Sequence, residues 1–535
     1  MKPVMSNQSS ALSPFKYKSF LVMWIATLVS NIGTWMHSVG AGWLMTELSS
    51  SALLVSLVQT ATTLPVFIFA LPAGTLADLF DKHKMLLIIN SFMLSVALLL
   101  AILVLNEMVT PILLLALTFL LGIGTAFMAP TWQAVIPSLI PKKELPQAVA
   151  LGSISINVSR AIGPALSGVL IATVALSSPF FVNAITFVFI IVALFWLLKR
   201  REKQPALASK RFWPAIKVGV SHSLYNPALK ATMLHILVFM IFANAFWALL
   251  PVIIRDNLGA NASYYGLVMS LIGIGAVITA LYLPKIKNYL TPNRLVLVGT
   301  LLVSLATLLF ALVSNKIIAL ILSFTFGCGW MLVLSTINVS AQQALPEWVR
   351  ARGLAVFMVV FFGGMSLGSV AWGWIAEIST LNTALISSAI GGIACSLLII
   401  KFKLQQGANM DLSPSRHWPT PQVHTQVEND KGPVKIIIHY KISEANRDTF
   451  LSKVKDLKAS RRRNGAYNWG IYEDTEVEGH FIEHFMEVSW AHHLMHHENV
   501  TNEDKPLLDE VKALDEREAG PTVKHYLYRF SKSHR

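Results

Sequence analysis

The sequence predicts an all-α polytopic membrane protein, twelve transmembrane helices in two six-helix repeats, followed by a C-terminal α+β ferredoxin-like cytoplasmic domain. Three observations carry this expectation. The 535 residues are 54% hydrophobic and only 13% charged, too apolar for a soluble protein of that length. The apolar residues gather into twelve runs of about twenty, the length a helix needs to cross ~30 Å of hydrocarbon. Beyond residue 403 the composition turns soluble and strand and helix patterns alternate.

The runs are centred near residues 32, 64, 95, 122, 157 and 188, then near 241, 273, 304, 328, 363 and 392. The first begins near Ser19, after a basic, Ser-rich leader, and reads as an uncleaved anchor. This divides the chain into a first six-helix half (1–198), a polar linker (199–228), a second half (229–403), a linker rich in Pro, Asn, Gln and Asp (404–432) and a soluble domain (433–535). The two cysteines, Cys328 and Cys395, lie in apolar runs, so no disulfide framework is expected.

Basic residues orient the spans. If the N-terminus is cytoplasmic, the inner segments up to residue 403 carry 22 Lys and Arg, against Arg255 and Lys316 outside. That asymmetry predicts a cell (inner) membrane protein with both termini cytoplasmic. The formal charge of +14 then resides mostly in inner loops, and a nucleic-acid partner is not expected. The surroundings this chain requires are a lipid bilayer and a small-molecule substrate.

The chain repeats itself. A shift of 205 residues places Gly122 and Gly124 on Gly327 and Gly329, Pro141 on Pro346, Gly163 on Gly368 and Gly168 on Gly373. Parallel six-helix repeats joined by a basic linker point to alternating access around a midplane cavity. Within the fifth run, Arg160 stands in an apolar stretch with no acid, next to Gly163-Pro164 and Gly168. A charge near a bilayer centre is costly, so it faces a wet cavity or a partner, and the glycines and proline give a smooth, kinkable packing face.

The other polar residues near span centres are Asn31, Trp35, Gln59, Gln133, Asn157, Asn244 and Asn338. With Arg160 they are the candidate cavity lining. For each amide an interhelical hydrogen bond is an equal alternative.

The stretch Gly74-Thr-Leu-Ala-Asp78-Leu-Phe-Asp81-Lys82-His83-Lys84 resembles the signature loop of the major facilitator superfamily, over a chain length of roughly 15–403. It departs from the family pattern at Leu79 and Asp81, where an Arg and a Gly are usual. The resemblance implies that Gly74, Asp78, Asp81 and Lys82 take part in gating, with Gly163, Pro164, Gly168, Gly368 and Gly373. Ser30 to Met36, Pro130 to Ala134 and Ser159 to Pro164 resemble the branch that includes the enterobactin exporter. Gly163-Pro164 with Ser167-Gly168 partly matches the antiporter motif of the fifth helix, which implies export.

The same resemblance implies proton-driven antiport. No acid sits mid-span, which leaves His37 and His235 as the titratable candidates within the runs.

The tail reads as a strand at Val434–Ile442, a helix at Glu444–Arg463, strands at Tyr467–Glu473 and His480–Val488, helical segments at Trp490–Glu498 and Asn502–Glu518, and a last strand at Thr522–Phe530. This order predicts the α+β sandwich. The segments Arg461 to Gly470 and Ser489 to Thr501 resemble a domain fused to some transporters of this branch and distantly similar to antibiotic-biosynthesis monooxygenases. His492/His496 and His493/His497 have a spacing that can chelate a metal, with His480, His484 and Glu483 as candidate completing ligands. A solvated helix face is the preferred reading of them, and neither a metal nor a cofactor is assigned.

Three functions are therefore open. The first is a secondary transporter, not an enzyme, that effluxes siderophore- or drug-like molecules. The second is a transporter fused to a cargo-modifying enzyme, and the third a regulatory or sensory membrane protein. The expected role of the tail is regulation or self-association.

Overall fold

In the computed structural model, residues 12–199, 212–404, 411–415, 421, 427–428 and 431–528 are described. They form two compact units. The first holds the described residues within 1–209, 233–338 and 357–403, and the second those within 210–232, 339–356 and 404–535.

Six helices build the first half: α1 (Lys18–Leu48), α2 (Ala52–Leu79), α3 (Lys82–Leu105), α4 (Pro111–Leu139), α5 (Leu145–Thr173) and α6 (Ser178–Leu198). A short helix α7 (Phe212–Tyr225) occupies the stretch read as a linker. The second half is α8 (Pro227–Val252), α9 (Ala262–Ile286), α10 (Pro292–Leu312), α11 (Lys316–Gln343), α12 (Arg350–Ile378) and α13 (Leu381–Ile399). Apart from α7 these are the twelve helices long and apolar enough to cross a membrane.

In lipid, the free amides of a helix start need partners from the protein. Ser51, Thr110, Asn261 and Thr380 supply them, each accepting a hydrogen bond from a backbone N–H of the first turn of α2, α4, α9 and α13. Proline inside α2, α4 and α5 is tolerated because neighbouring helices hold the bent segment. Phe20, Met23, Leu86, Leu100, Leu114, Phe180 and Phe187 fill the core of the first half.

The sequence repeat is a structural one. Gly163 lets α5 close on α1, where an added Cβ would lie 2.6 Å from that of Trp35, and Gly368 lets α12 close on α8, 2.6 Å from the carbonyl of Ile241. The next turn repeats as well. Ser167 Oγ donates to the carbonyl of Met36 (2.9 Å), and Trp372 Nε1 to that of Ile241 (2.8 Å). Donor and acceptor are both displaced by the 205-residue offset, so one bond is kept while the donor chemistry has changed.

In the second unit, β1 (Val434–Lys441), α14 (Arg447–Arg463), β2 (Tyr467–Glu473), β3 (His480–Glu487), α15 (Trp490–Asn499), α16 (Lys505–Ala513) and β4 (Thr522–Leu527) follow the β-α-β-β-α-β plan of an α+β sandwich. The sheet is antiparallel in the order β2-β3-β1-β4. Val434, Ile436, Ile438 and Tyr440 alternate onto one face and pack with Phe450, Val454 and Leu457 of α14 and Trp490 of α15.

Two elements are shorter than the sequence predicts. The helix expected over Asn502–Glu518 stops at Ala513, because the Asp515 carboxylate accepts from the backbone N–H of Lys441 and from Arg517 and turns the chain there. The last strand is described to Leu527, and the rest of its expected span, from residue 529, lies outside the described residues.

The stretch read as a linker also departs from expectation, since α7 packs on α14. Ser221 Oγ donates to the carbonyl of Arg462 (2.8 Å), and His222 Nδ1 lies 3.1 Å from that of Arg463. Burial pushes the His222 imidazole down to about 4, so the ring is neutral and its Nδ1–H is the donor.

Candidate functional site

Arg160 lies on the face of α5 that meets α1. Its guanidinium carbon is 5.2 Å from the ring centroid of Trp35, a cation–π distance. Nε is buried without a hydrogen-bond partner, and among the described residues no carboxylate pairs with the side chain. A half-buried cation on an aromatic wall, with donors left over, is a ready receptor for an anion.

The remaining cavity candidates separate. Asn31 and Gln59 are half-buried on α1 and α2, and Gln133 and Asn338 are exposed on α4 and α11. The last two are related by the 205-residue offset, so each half presents one amide at the same place in its fourth helix. Asn157 turns back on its own helix, Nδ2 donating to the carbonyl of Ser153 (2.9 Å).

Asn244 is a correction to the cavity list. It is fully buried, and its Nδ2 donates to the carbonyl of Met365 (2.7 Å) and to Ser369 Oγ. The side chain ties α8 to α12 because an unmatched amide inside the bundle would be costly. Asn244→Ala should lower the midpoint of thermal unfolding in detergent by removing about 0.6 kcal/mol, at most ~1.7. A binding-site role would instead change transport while leaving that midpoint in place.

Of the titratable candidates, His37 is buried on α1, edge-on to Phe180 at 5.2 Å, with no hydrogen-bond partner for either ring nitrogen. His235 is buried on α8, and its Nε2 is 2.9 Å from the carbonyl of Phe402.

The two halves meet along two seams. In the first, α5 lies on α9. An added Cβ at Gly168 would come 2.8 Å from the carbonyl of Ala262, and one at Gly266 would come 2.4 Å from that of Pro164. In the second, α2 lies on α12. There a Cβ at Gly373 would meet Ser56, Thr63 and Ser366 hydroxyls bond at 2.8 Å, and Glu377 accepts from Ser51 Oγ (2.9 Å) and the N–H of Leu53 (3.2 Å). Gly168 and Gly373 therefore do the same work on opposite sides. Both seams run from the ends of the spans away from the two termini toward the middle. The hydroxyl and carboxylate contacts carry no sequence signal, because Ser, Thr and an end-of-helix Glu are ordinary in membrane helices.

The signature loop is built as a helix cap. Asp81 accepts from the N–H of His83 (3.0 Å) and of Lys84 (3.3 Å), starting α3, and Lys82 Nζ donates to the carbonyl of Ala134 (3.3 Å). Gly74 has open space where a Cβ would stand. The side chain of Asp78 lies outside the described residues.

In the α+β unit the histidines do not form a solvated face. His493 and His496 are buried, and the Glu487 carboxylate accepts from Nδ1 of both, at 2.9 Å from His493. Burial alone would push the Glu487 carboxyl up, but the charge of His496 and the two hydrogen bonds outweigh it and hold the group well below the usual carboxylate range.

The register of β4 on β1 sets His525 opposite Ile436, on the helix-covered face. There its ring lies 4.6 Å from that of His493. Burial, with neighbouring imidazoles, pushes His497 down to about 3 and His525 to about 4. The completing residues proposed from sequence are elsewhere. His484 stacks on Tyr472, and Glu483 is buried against Arg461, Tyr440 and Trp469.

Comparison with known proteins agrees with this architecture. The model of a family described as "Transmembrane secretion effector" matches residues 9–533. The staphyloferrin A transporter of Staphylococcus aureus (strain NCTC 8325 / PS 47) is 26% identical over 387 residues, 72% of this chain and 96% of the relative. The enterobactin exporter EntS of Escherichia coli O1:K1 / APEC is 23% identical over 391 residues, 72% of this chain and 91% of the relative. Among solved structures, an auto inhibited POT family peptide transporter shares the fold with a TM-score of 0.59 at 11% identity, covering 77% of this chain and 99% of its own. The twelve membrane helices, their repeat-related seams and the family match together place the chain in the transmembrane secretion effector family, multi-pass secondary transporters of the major facilitator superfamily.

Proposed function

We propose that this protein exports small anionic or amphipathic organic molecules, siderophore-like or drug-like, by alternating access and proton antiport. The observation that carries this is Arg160, a cation against Trp35 partway along a span with no carboxylate partner among the described residues. It supplies charge complementarity for a carboxylate or phenolate, and Trp35 supplies an apolar wall. Asn31, Gln59, Gln133 and Asn338 offer adaptable hydrogen bonds around it.

Export as the direction is supported by the names of the relatives, one of them an exporter of enterobactin. We place the protein in the cell (inner) membrane with both termini cytoplasmic, on the strength of the basic inner loops. The seams then lie on the outer side of the bundle. For proton coupling we assign His37, since the ring of His235 is already engaged by a carbonyl.

The test is transport into everted membrane vesicles. An imposed inward-acid gradient should drive uptake of a catecholate or citrate-type siderophore, and a protonophore should abolish it. Uptake indifferent to the gradient would remove proton coupling, and accumulation raised in intact cells expressing the protein would reverse the direction.

A further inference from the structure

The histidine cluster of the α+β domain has no part in transport as described above. His493 and His497 stand one turn apart on α15, and His525 reaches them from β4. One ring nitrogen of each lies within 4.8 Å of the other two. His493 is 2% exposed. Its Nδ1 is engaged by Glu487 at 2.9 Å, and because a carboxylate only accepts, that nitrogen carries the proton. In the neutral ring the lone pair is then on Nε2, which is buried and has no hydrogen-bond partner among the described residues. Nε2 of His525 is likewise buried without a partner.

We propose that His493, His497 and His525 bind a divalent transition-metal ion of the Zn²⁺ class, with Glu487 as the carboxylate that orients His493. Three imidazoles from a helix and a strand, one backed by a carboxylate, are the donor set of such an ion. Imidazole nitrogens select Zn²⁺, Cu²⁺ or Ni²⁺ over Mg²⁺ and Ca²⁺, which take oxygen ligands. Such an ion takes imidazole nitrogens at ~2.0–2.1 Å, so binding would draw the half-buried His497 and His525 rings toward Nε2 of His493. The fourth position is left for water or a small ligand.

The consequence is mechanical. Strand β4 is an edge strand, paired with β1 on one side, and the ion fastens it to α15. The domain then senses metal through the order of its last strand. This inference stands independently of the transport reading.

The test uses the full chain in detergent, free of any polyhistidine tag, stripped with chelator and titrated with Zn²⁺ and with Co²⁺. The expected result is one equivalent per chain, a Co²⁺ absorption spectrum of low coordination number, and slowed hydrogen exchange over 522–527 on Zn²⁺ addition. Affinity should fall on the order of 100-fold or more in His525→Gln, and about 10- to 100-fold in Glu487→Gln. It should be unchanged in His484→Gln, whose ring stacks on the opposite side of the sheet.

In case a variant misfolds, the wild-type chain is also labelled with diethyl pyrocarbonate. Zn²⁺ should protect the half-buried His497 and His525 from modification. Wild-type binding of less than one equivalent at micromolar Zn²⁺, His525→Gln binding as wild type does, or no protection of His497 and His525 would each overturn the proposal.

Discussion

Arg160→Met should export anionic substrates at least about 30-fold less well than wild type while expressing normally. Removing one member of a buried, hydrogen-bonded charge pair costs about 2–5 kcal/mol, and 2 kcal/mol is a factor of about 30 in affinity. Methionine is the informative replacement because Met365 occupies the repeat-related position, so the fold already accommodates that side chain in the corresponding helix pair, α8 and α12. Arg160→Lys should keep the charge and part of the activity, since a compact ammonium loses the planar stack on Trp35 and the forked geometry that suits a carboxylate. The loss should fall on anionic cargo, and neutral or cationic compounds that depend on Trp35 alone should be less affected. Equal export of an anionic siderophore by Arg160→Met and wild type, measured at matched expression, would show that Arg160 serves the fold.

Gly168→Val should arrest transport at least tenfold with the protein still in the membrane. A Cβ at Gly168 would stand 2.8 Å from the Ala262 carbonyl and 3.1 Å from the Cα of Ser263. Backbone cannot rotate aside, so α5 and α9 must part. Overpacking costs about 1–3 kcal/mol, comparable to the few kcal/mol that separate alternating conformations, and the equilibrium leaves the state in which this seam is closed. A cysteine placed at Ser263 should then become reactive to an impermeant thiol reagent applied from the seam's side. Gly373→Val on the other seam should behave alike, and Gly74→Ala should be silent because no described residue lies within 4 Å of its added methyl. Wild-type transport by Gly168→Val would mean that the seam does not close during the cycle.

What the sequence made legible follows from which interactions are periodic. Twelve spans, the 205-residue repeat and the strand order of the tail each arise from patterns that burial imposes on many residues at once. Gly168 and Gly373 were legible for the same reason, since a close helix crossing excludes every side chain. Individual polar residues were not. Asn31 and Asn244 look equivalent in sequence, yet one is half-buried and the other spans two helices. The choice depends on helix rotation, which an almost uniformly apolar surface does not record. His525 was missed as a partner of His493 for a related reason. Their proximity comes from the pairing of β4 with β1, where His525 lies opposite Ile436, 89 residues earlier, whereas helical spacing drew attention to neighbours four apart.

The bond from the turn after Pro164 to α1, and its counterpart after Ser369, bears on how the two halves have diverged. The same carbonyl is capped by serine in one half and by tryptophan in the other, and the glycines beside them are held in common. Where the first half carries Arg160, the second carries a methionine whose carbonyl is occupied by Asn244. On the proposed reading of Arg160, the repeat has left its two helix pairs with unequal work, in which α1 and α5 hold the cation offered to the cargo while α8 and α12 fill the matching position by packing. Changes of cargo preference should therefore accumulate in α1 and α5, while their second-half counterparts α8 and α12 drift only within the limits of packing.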